Sequence, residues 1–177
     1  GVAHMLEHML FKGTQKRTAK DISEVIEDAG GHMNAYTGRE QTAYYAKVLA
    51  GDLPLAIDII ADILQHSTYD KAELERERGV ILQEIGQVKD TPDDLVFDLL
   101  QEASYPDQPM GRAILGPEAI VREMPREAPF LAARVHQDYR RRGGGHGGRL
   151  RRAGRLERLR AARDDRGGGA PRRPGRP

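Results

Sequence analysis

His4, Glu7 and His8 stand within one stretch, Gly1-Val-Ala-His-Met-Leu-Glu-His-Met-Leu-Phe11, that nothing breaks before Gly13. On a helix turning about 100° per residue, His4, Glu7, His8 and Phe11 share one face. Val2, Met5, Leu6, Met9 and Leu10 take the opposite face, so the helix has an apolar back and a chemically equipped front. Two imidazoles at i and i+4 can bind one metal ion, and a carboxylate one turn from His4 can reach a water beside that ion. The order H-x-x-E-H reverses the commoner H-E-x-x-H. Zinc suits such a set, being borderline-soft, redox-inert and content with two imidazoles, one carboxylate and an open position. The same residues also read as the solvated polar face of an ordinary helix, and five residues alone do not separate the two.

A second helix strengthens the metal reading. From about Lys71 to Val88, Leu74, Val80, Ile81, Ile85 and Val88 trace an inward stripe, and Glu77 and Glu84 lie in that stripe. Seven residues make nearly two turns, so the two carboxylates stack on one side. An acid inside an apolar stripe is costly to bury unpaired, and a nearby cation is the simplest remedy.

The remaining elements follow from local pattern. Thr18 is placed to cap a helix over about Ala19 to Ala29, with Ile22, Val25 and Ile26 inward and Gly30-Gly31 ending it. His32 to Thr37 and Thr42 to Leu49 read as two strands around the turn Gly38-Arg39-Glu40. Asp52 to Gln65 is amphipathic, with Leu53, Ala56, Ile59, Ile60, Ile63 and Leu64 on its apolar side. Asp93 to Ala103 forms another helix, and the Pro- and Gly-rich stretch from Pro106 to Pro117 a loop. The expected class is α+β, a small mixed or antiparallel sheet packed by helices, as one incomplete domain over residues 1–124 with a transition over 125–139.

With no cysteine there is no disulfide framework and no thiolate metal site. The apolar runs are far shorter than a membrane span, and no membrane partner is expected. A first residue of Gly, with the motif helix starting at once, points to a missing preceding segment.

The net charge of +1 conceals a division. Residues 1–139 carry 14 basic and 24 acidic side chains, whereas residues 140–177 carry 14 arginines and 3 acids. That last stretch has 10 glycines and no Val, Ile, Phe or Tyr, so it is too poor in apolar groups to offset ordering entropy and is expected to be disordered. It reads in three ways: a polyelectrolyte arm for nucleic acid, a solvated tail, or a GC-rich coding sequence translated in a shifted frame. The aromatic residues that would stack on bases are absent, which weighs against nucleic acid.

With His4-Met-Leu-Glu-His8 and Glu84 in view, the chain resembles the pitrilysin/insulinase family of zinc peptidases. The resemblance runs through Gly1 to Thr14, Asn34-Ala-Tyr-Thr-Gly-Arg-Glu-Gln-Thr42, Tyr45-Ala-Lys47, Glu75 to Glu84 and Gly111-Arg-Ala-Ile-Leu-Gly116, covering roughly residues 1–120. In that family a glutamate follows the motif at an interval matching the 75 residues between His8 and Glu84. The resemblance implies that His4, His8 and Glu84 are the ligands of a Zn2+ cofactor, that Glu7 is the general base, and that Glu77 orients a ligating imidazole. It implies hydrolysis of a peptide or protein substrate.

Asn34, Ala35 and Tyr36 correspond to an edge strand that holds an extended peptide, unless they form an ordinary internal strand. Phe11 corresponds to a pocket residue, and otherwise reads as a core aromatic. Asp94 and Asp98, at i and i+4, match acids with which relatives that cut basic presequences bind arginine; the alternative is a solvated acidic face near a helix start. His32, His66, His136 and His146 have no partners at ligand spacing.

Family members close two homologous halves around the substrate, in one chain or by pairing subunits, so a second half or subunit is an implied partner. The implied location is cytoplasmic in a bacterium and the mitochondrial matrix in a eukaryote. Two rival classes stay open: a non-catalytic partner subunit of the same fold, which the complete His4, Glu7, His8 and Glu84 set opposes, and a nucleic-acid binder using its basic arm.

Overall fold

The computed structural model describes residues 1–141. Among them the chain forms α1 (Val2–Leu10), α2 (Ala19–Asp28), the hairpin β1 (His32–Thr37) and β2 (Thr42–Lys47), then α3 (Leu53–His66), α4 (Lys71–Asp90), α5 (Pro92–Ser104), α6 (Glu118–Glu123) and α7 (Glu127–Arg141). Short 3-10 turns precede α3 and follow α5. The expected α+β class holds, helix-dominated, with one two-stranded antiparallel sheet.

Helix α1 lies at the centre of the packing, against α4, α7 and both strands. Its apolar back explains why: Met5, Met9 and Leu10 are buried among Ile22 and Ile26 of α2, Ala56, Ile59 and Ile63 of α3, and Leu74, Ile81 and Ile85 of α4. Tyr69 before α4, Val121 and Met124 from α6 and its end, and Ala133 from α7 complete that core. The front of α1 is thereby turned toward α4 and the hairpin.

Local chemistry sets the boundaries. Thr18 and Asp21 form a reciprocal capping box at the start of α2, and Asp70 caps α4 by accepting from the N–H groups of Ala72 and Glu73. The hairpin register runs from His32 opposite Lys47 to Thr37 opposite Thr42, closed by Gly38 N–H donating to Gln41 O at 2.7 Å. Gly116 has φ +79, and a Cβ there would stand 2.7 Å from Gly1 Cα. Only glycine lets this loop run against the first turn of α1.

Several expectations need correction. The apolar stripes place Leu53 and Val80 inward, yet both are exposed, because each sits at the rim of its helix's apolar arc. The second strand ends at Lys47, two residues early, where Val48 packs under Gly31. After the expected loop to Pro117 comes a helix with no sequence expectation, α6 over Glu118–Glu123, too short to display a period. Over the expected transition the chain forms α7, which packs on α1. Beyond Arg141 the expected Arg/Gly-rich tail, His146 included, lies outside the described residues.

Candidate metal centre

His4 and His8 project from one face of α1 with ring centroids 4.5 Å apart. Helix α4 crosses that face and delivers Glu84. Its Oε2 lies 3.7 Å from His4 Nε2 and 3.9 Å from His8 Nε2, and one ligand atom from each residue falls within 4.8 Å of the others. Those separations are too long for hydrogen bonds. Glu84 Oε2 is nevertheless buried and has no partner. Two imidazole nitrogens and a carboxylate oxygen converging on one point with no hydrogen bond between them is an arrangement that a cation relieves, and a nitrogen–nitrogen–carboxylate set is chemistry that zinc accepts. The residues present therefore fit the ion.

The protonation state agrees. Burial, then the neighbouring His8 and the N-terminal ammonium, push the His4 imidazole down to about 4, so it is neutral near pH 7 and keeps a lone pair to offer.

Glu77, nearly two turns before Glu84 on α4, is almost fully buried. Its Oε2 lies 2.8 Å from His8 Nδ1, and its Oε1 2.7 Å from Lys12 Nζ. Burial pushes this carboxyl up, but hydrogen bonds from Lys12 and His8 outweigh it and hold the group below the usual range. With Nδ1 of His8 so occupied, Nε2 is the nitrogen turned to Glu84.

Glu7 stands one turn from His4 and accepts a hydrogen bond from the Thr37 hydroxyl at the end of β1. Thr37 also meets Thr42 Oγ1 at 3.2 Å. Tyr44 presents a buried hydroxyl without a partner; burial first, and the Glu7 charge next, raise it above the ordinary phenol. Phe11 is half-buried, packs on the core and meets Tyr44 with ring centroids 6.2 Å apart.

The hairpin places Asn34, Ala35 and Tyr36 opposite Tyr45, Tyr44 and Ala43. Among the described residues β1 pairs with β2 alone, so its other edge carries no strand. On that strand the Ala35 N–H is held by its neighbour's side chain, Asn34 Oδ1, at 2.8 Å. Asp94 is exposed in the first turn of α5. Asp98 is already engaged: Arg39, from the hairpin tip, donates to it at 2.7 Å and to the Met110 and Arg112 carbonyls at 3.1 and 2.5 Å. The structure thus separates the two acids, one open to solvent and one holding the chain's own guanidinium. His66 bonds Asp62 at 3.0 Å, away from the metal group.

Lys12, Thr37, Tyr44 and Arg39 were not singled out from sequence. Lys12 had a usable signal, since it follows His8 at helical spacing. The other three reach their partners across elements, which spacing does not encode.

The model of the insulinase family (peptidase family M16) matches residues 1–118 of this α+β domain. The chain belongs to that family. It is 51% identical over 127 residues to the mitochondrial-processing peptidase subunit beta of Homo sapiens, covering 72% of this chain and 26% of that one. It is also 51% identical over 116 residues to an uncharacterized zinc protease of Rickettsia felis, covering 66% of this chain and 28% of that one. The chain thus spans about a quarter of the length of these relatives. Among solved structures, pitrilysin superposes with TM-score 0.66 at 28% identity, over 76% of this chain and 15% of that one. A protease from Helicobacter pylori shares the fold with TM-score 0.71 at 22% identity, over 75% of this chain and 32% of that one. No helix of the described residues is long and apolar enough to cross a membrane.

Proposed function

We propose that this chain carries the zinc-binding half-site of a metalloendopeptidase, with His4, His8 and Glu84 as ligands and Glu7 as general base. The observation that carries the reading is the buried, partnerless Glu84 Oε2 facing two imidazole Nε2 atoms. Zinc, when bound there, supplies Lewis acidity to the attacking water and the scissile carbonyl. Glu7 takes a proton from that water and passes it to the leaving amine; the Thr37 hydroxyl fixes which way its carboxylate points. Glu77 holds His8 Nδ1, so that Nε2 stays the ligating atom. The unpaired edge of β1, at Asn34 to Tyr36, is suited to an extended peptide added as a further strand, with Phe11 flanking the residue after the cut. Basic, presequence-like peptides are the substrate class we favour, with Asp94 as the accessible acid and Asp98 available once Arg39 gives way.

A second homologous half or subunit completes the site in this reading, and the host compartment follows the relatives: the mitochondrial matrix in a eukaryote, the cytoplasm in a bacterium. The purified 177-residue chain is therefore expected to bind zinc yet hydrolyse an arginine-containing peptide slowly or not at all. Metal analysis and a peptide-cleavage assay on the same preparation test this. Zinc bound without turnover is the expected result; robust turnover overturns the dependence on a second half, and a chain that takes up no zinc overturns the metal site.

A further inference from the structure

A carboxylate as deeply buried as that of Glu77 needs both oxygens engaged. The last turn of α1 and the turn that follows it supply both donors. His8 Nδ1 is 2.8 Å from Oε2, and Lys12 Nζ is 2.7 Å from Oε1. Lys12 follows His8 by four residues, and its N–H still bonds Met9 O at 3.2 Å, so the helical course brings ring and ammonium to one side of α4. Exposed ion pairs contribute little. This one is different in kind, joining an ammonium side chain 30% exposed to a carboxylate 7% exposed.

We propose that Lys12 is a positioning residue for the metal site: it clamps one oxygen of Glu77 so that the other keeps its hold on His8 Nδ1. The inference rests on the metal site proposed above and deepens it. Lys12 touches neither the metal-facing atoms nor any substrate group; it acts through Glu77. Without it, Glu77 Oε1 has no donor, and the carboxylate is free to swing toward solvent and release the imidazole. The His8 ring can then turn, and Nε2 no longer faces Glu84 by default.

A rival electrostatic effect makes the test sharp. The Lys12 ammonium lies close to a cation site, so if simple charge repulsion dominated, removing it would tighten zinc binding. Positioning predicts the opposite sign.

The experiment measures zinc affinity of the 177-residue chain by competition with a chromogenic chelator, for the native sequence and for K12M, K12Q, K12R, E77Q and H8A. Nitrogen-15 spectra of the metal-free imidazoles accompany it. K12M and K12Q are expected to weaken zinc binding about tenfold or more, within the range that loss of a ligand's supporting partner brings. K12R should restore most of the affinity. K12M should add little on top of E77Q, because both break one chain of contacts. The His8 resonances should pass from a single Nδ1–H form to a mixture of tautomers in K12M. K12M or K12Q binding zinc as tightly as the native chain, or more tightly, while H8A loses it, overturns the proposal. H8A retaining native affinity overturns the metal site itself, and with it this inference.

Discussion

Two acids, Asp62 and Glu84, each lie against histidine, and they have opposite surroundings. Asp62 of α3 is 2% exposed and every demand of its carboxylate is met. Thr14 Oγ1 donates at 2.8 Å, Arg17 at 2.7 Å and His66 Nδ1 at 3.0 Å, a closed set that ties the loop after α1 to α3. Glu84 of α4 has a buried oxygen with two imidazole nitrogens near it and no donor within hydrogen-bond reach. Both clusters join an acid to histidine, within one helix for Asp62 and His66 and between two helices for Glu84 with His4 and His8. The difference is completion: a satisfied buried acid is structural, whereas an open ring of acceptors calls for something brought from outside.

That contrast makes reciprocal predictions. Asp62→Ala should cost about 2–3 kcal/mol of stability in chemical denaturation, because the Thr14 hydroxyl and His66 lose their buried acceptor while Arg17 keeps only its exposed partner Asp58. Its zinc affinity, measured where the variant is folded, should stay near native. Glu84→Ala should do the reverse: zinc affinity falls by about a hundredfold or more, while the metal-free chain loses at most about 1 kcal/mol, since an unpaired acceptor is being removed. Equal stability losses in the two variants would erase the distinction.

A smaller effect separates the clusters by pH. The His4 imidazole titrates at 6.5 when unfolded and is held down to about 4 when folded. Between those values the unfolded chain binds a proton that the folded chain refuses. The stability contributed by the neutral ring is complete above about 6.5 and drains away as pH falls toward about 4. Burial pushes Asp62 up, but donors from Thr14, Arg17 and His66 outweigh it and hold it below its ordinary 3.8, so its contribution is lost only at lower pH. Denaturation midpoints of the metal-free chain should therefore decline first across the His4 window, and His4→Gln should flatten that first decline alone.

Two still smaller changes bound the comparison. Gly116→Ala, at φ +79 and against Gly1, should lower stability by about 1–2 kcal/mol and loosen the start of α1. Lys20→Ala removes an ion pair exposed on both sides and should cost less than about 0.5 kcal/mol. A thermal-melt series across these variants checks the ordering.

The proximity of the candidate metal residues was legible in sequence because its information is local or periodic. Helical spacing put His4, Glu7 and His8 on one face, and acids breaking an apolar stripe marked Glu77 and Glu84. The same rule applied to α3 would have found Asp62, which sits between Ile59 and Ile63, but that helix's richer apolar arc concealed it. Leu53 and Val80 were assigned inward because a period of 3.6 residues identifies a face and not its edges. Helix α6, bounded by Pro117 and Pro125, has too few residues to show a period at all. Arg39 on Asp98 and Thr37 on Glu7 arise from how elements pack, and no spacing along the chain announces them. Membership of the insulinase family, by contrast, was carried by long runs of matching residues.

Zinc K-edge absorption fine structure of the zinc-loaded 177-residue chain tests the central claim most directly. The account predicts two imidazole nitrogens and a carboxylate oxygen at about 2.0–2.2 Å, with the zinc lost in both His8→Ala and Glu84→Ala. A shell of oxygen donors without imidazole scattering, or a native shell that persists in both variants, would contradict it.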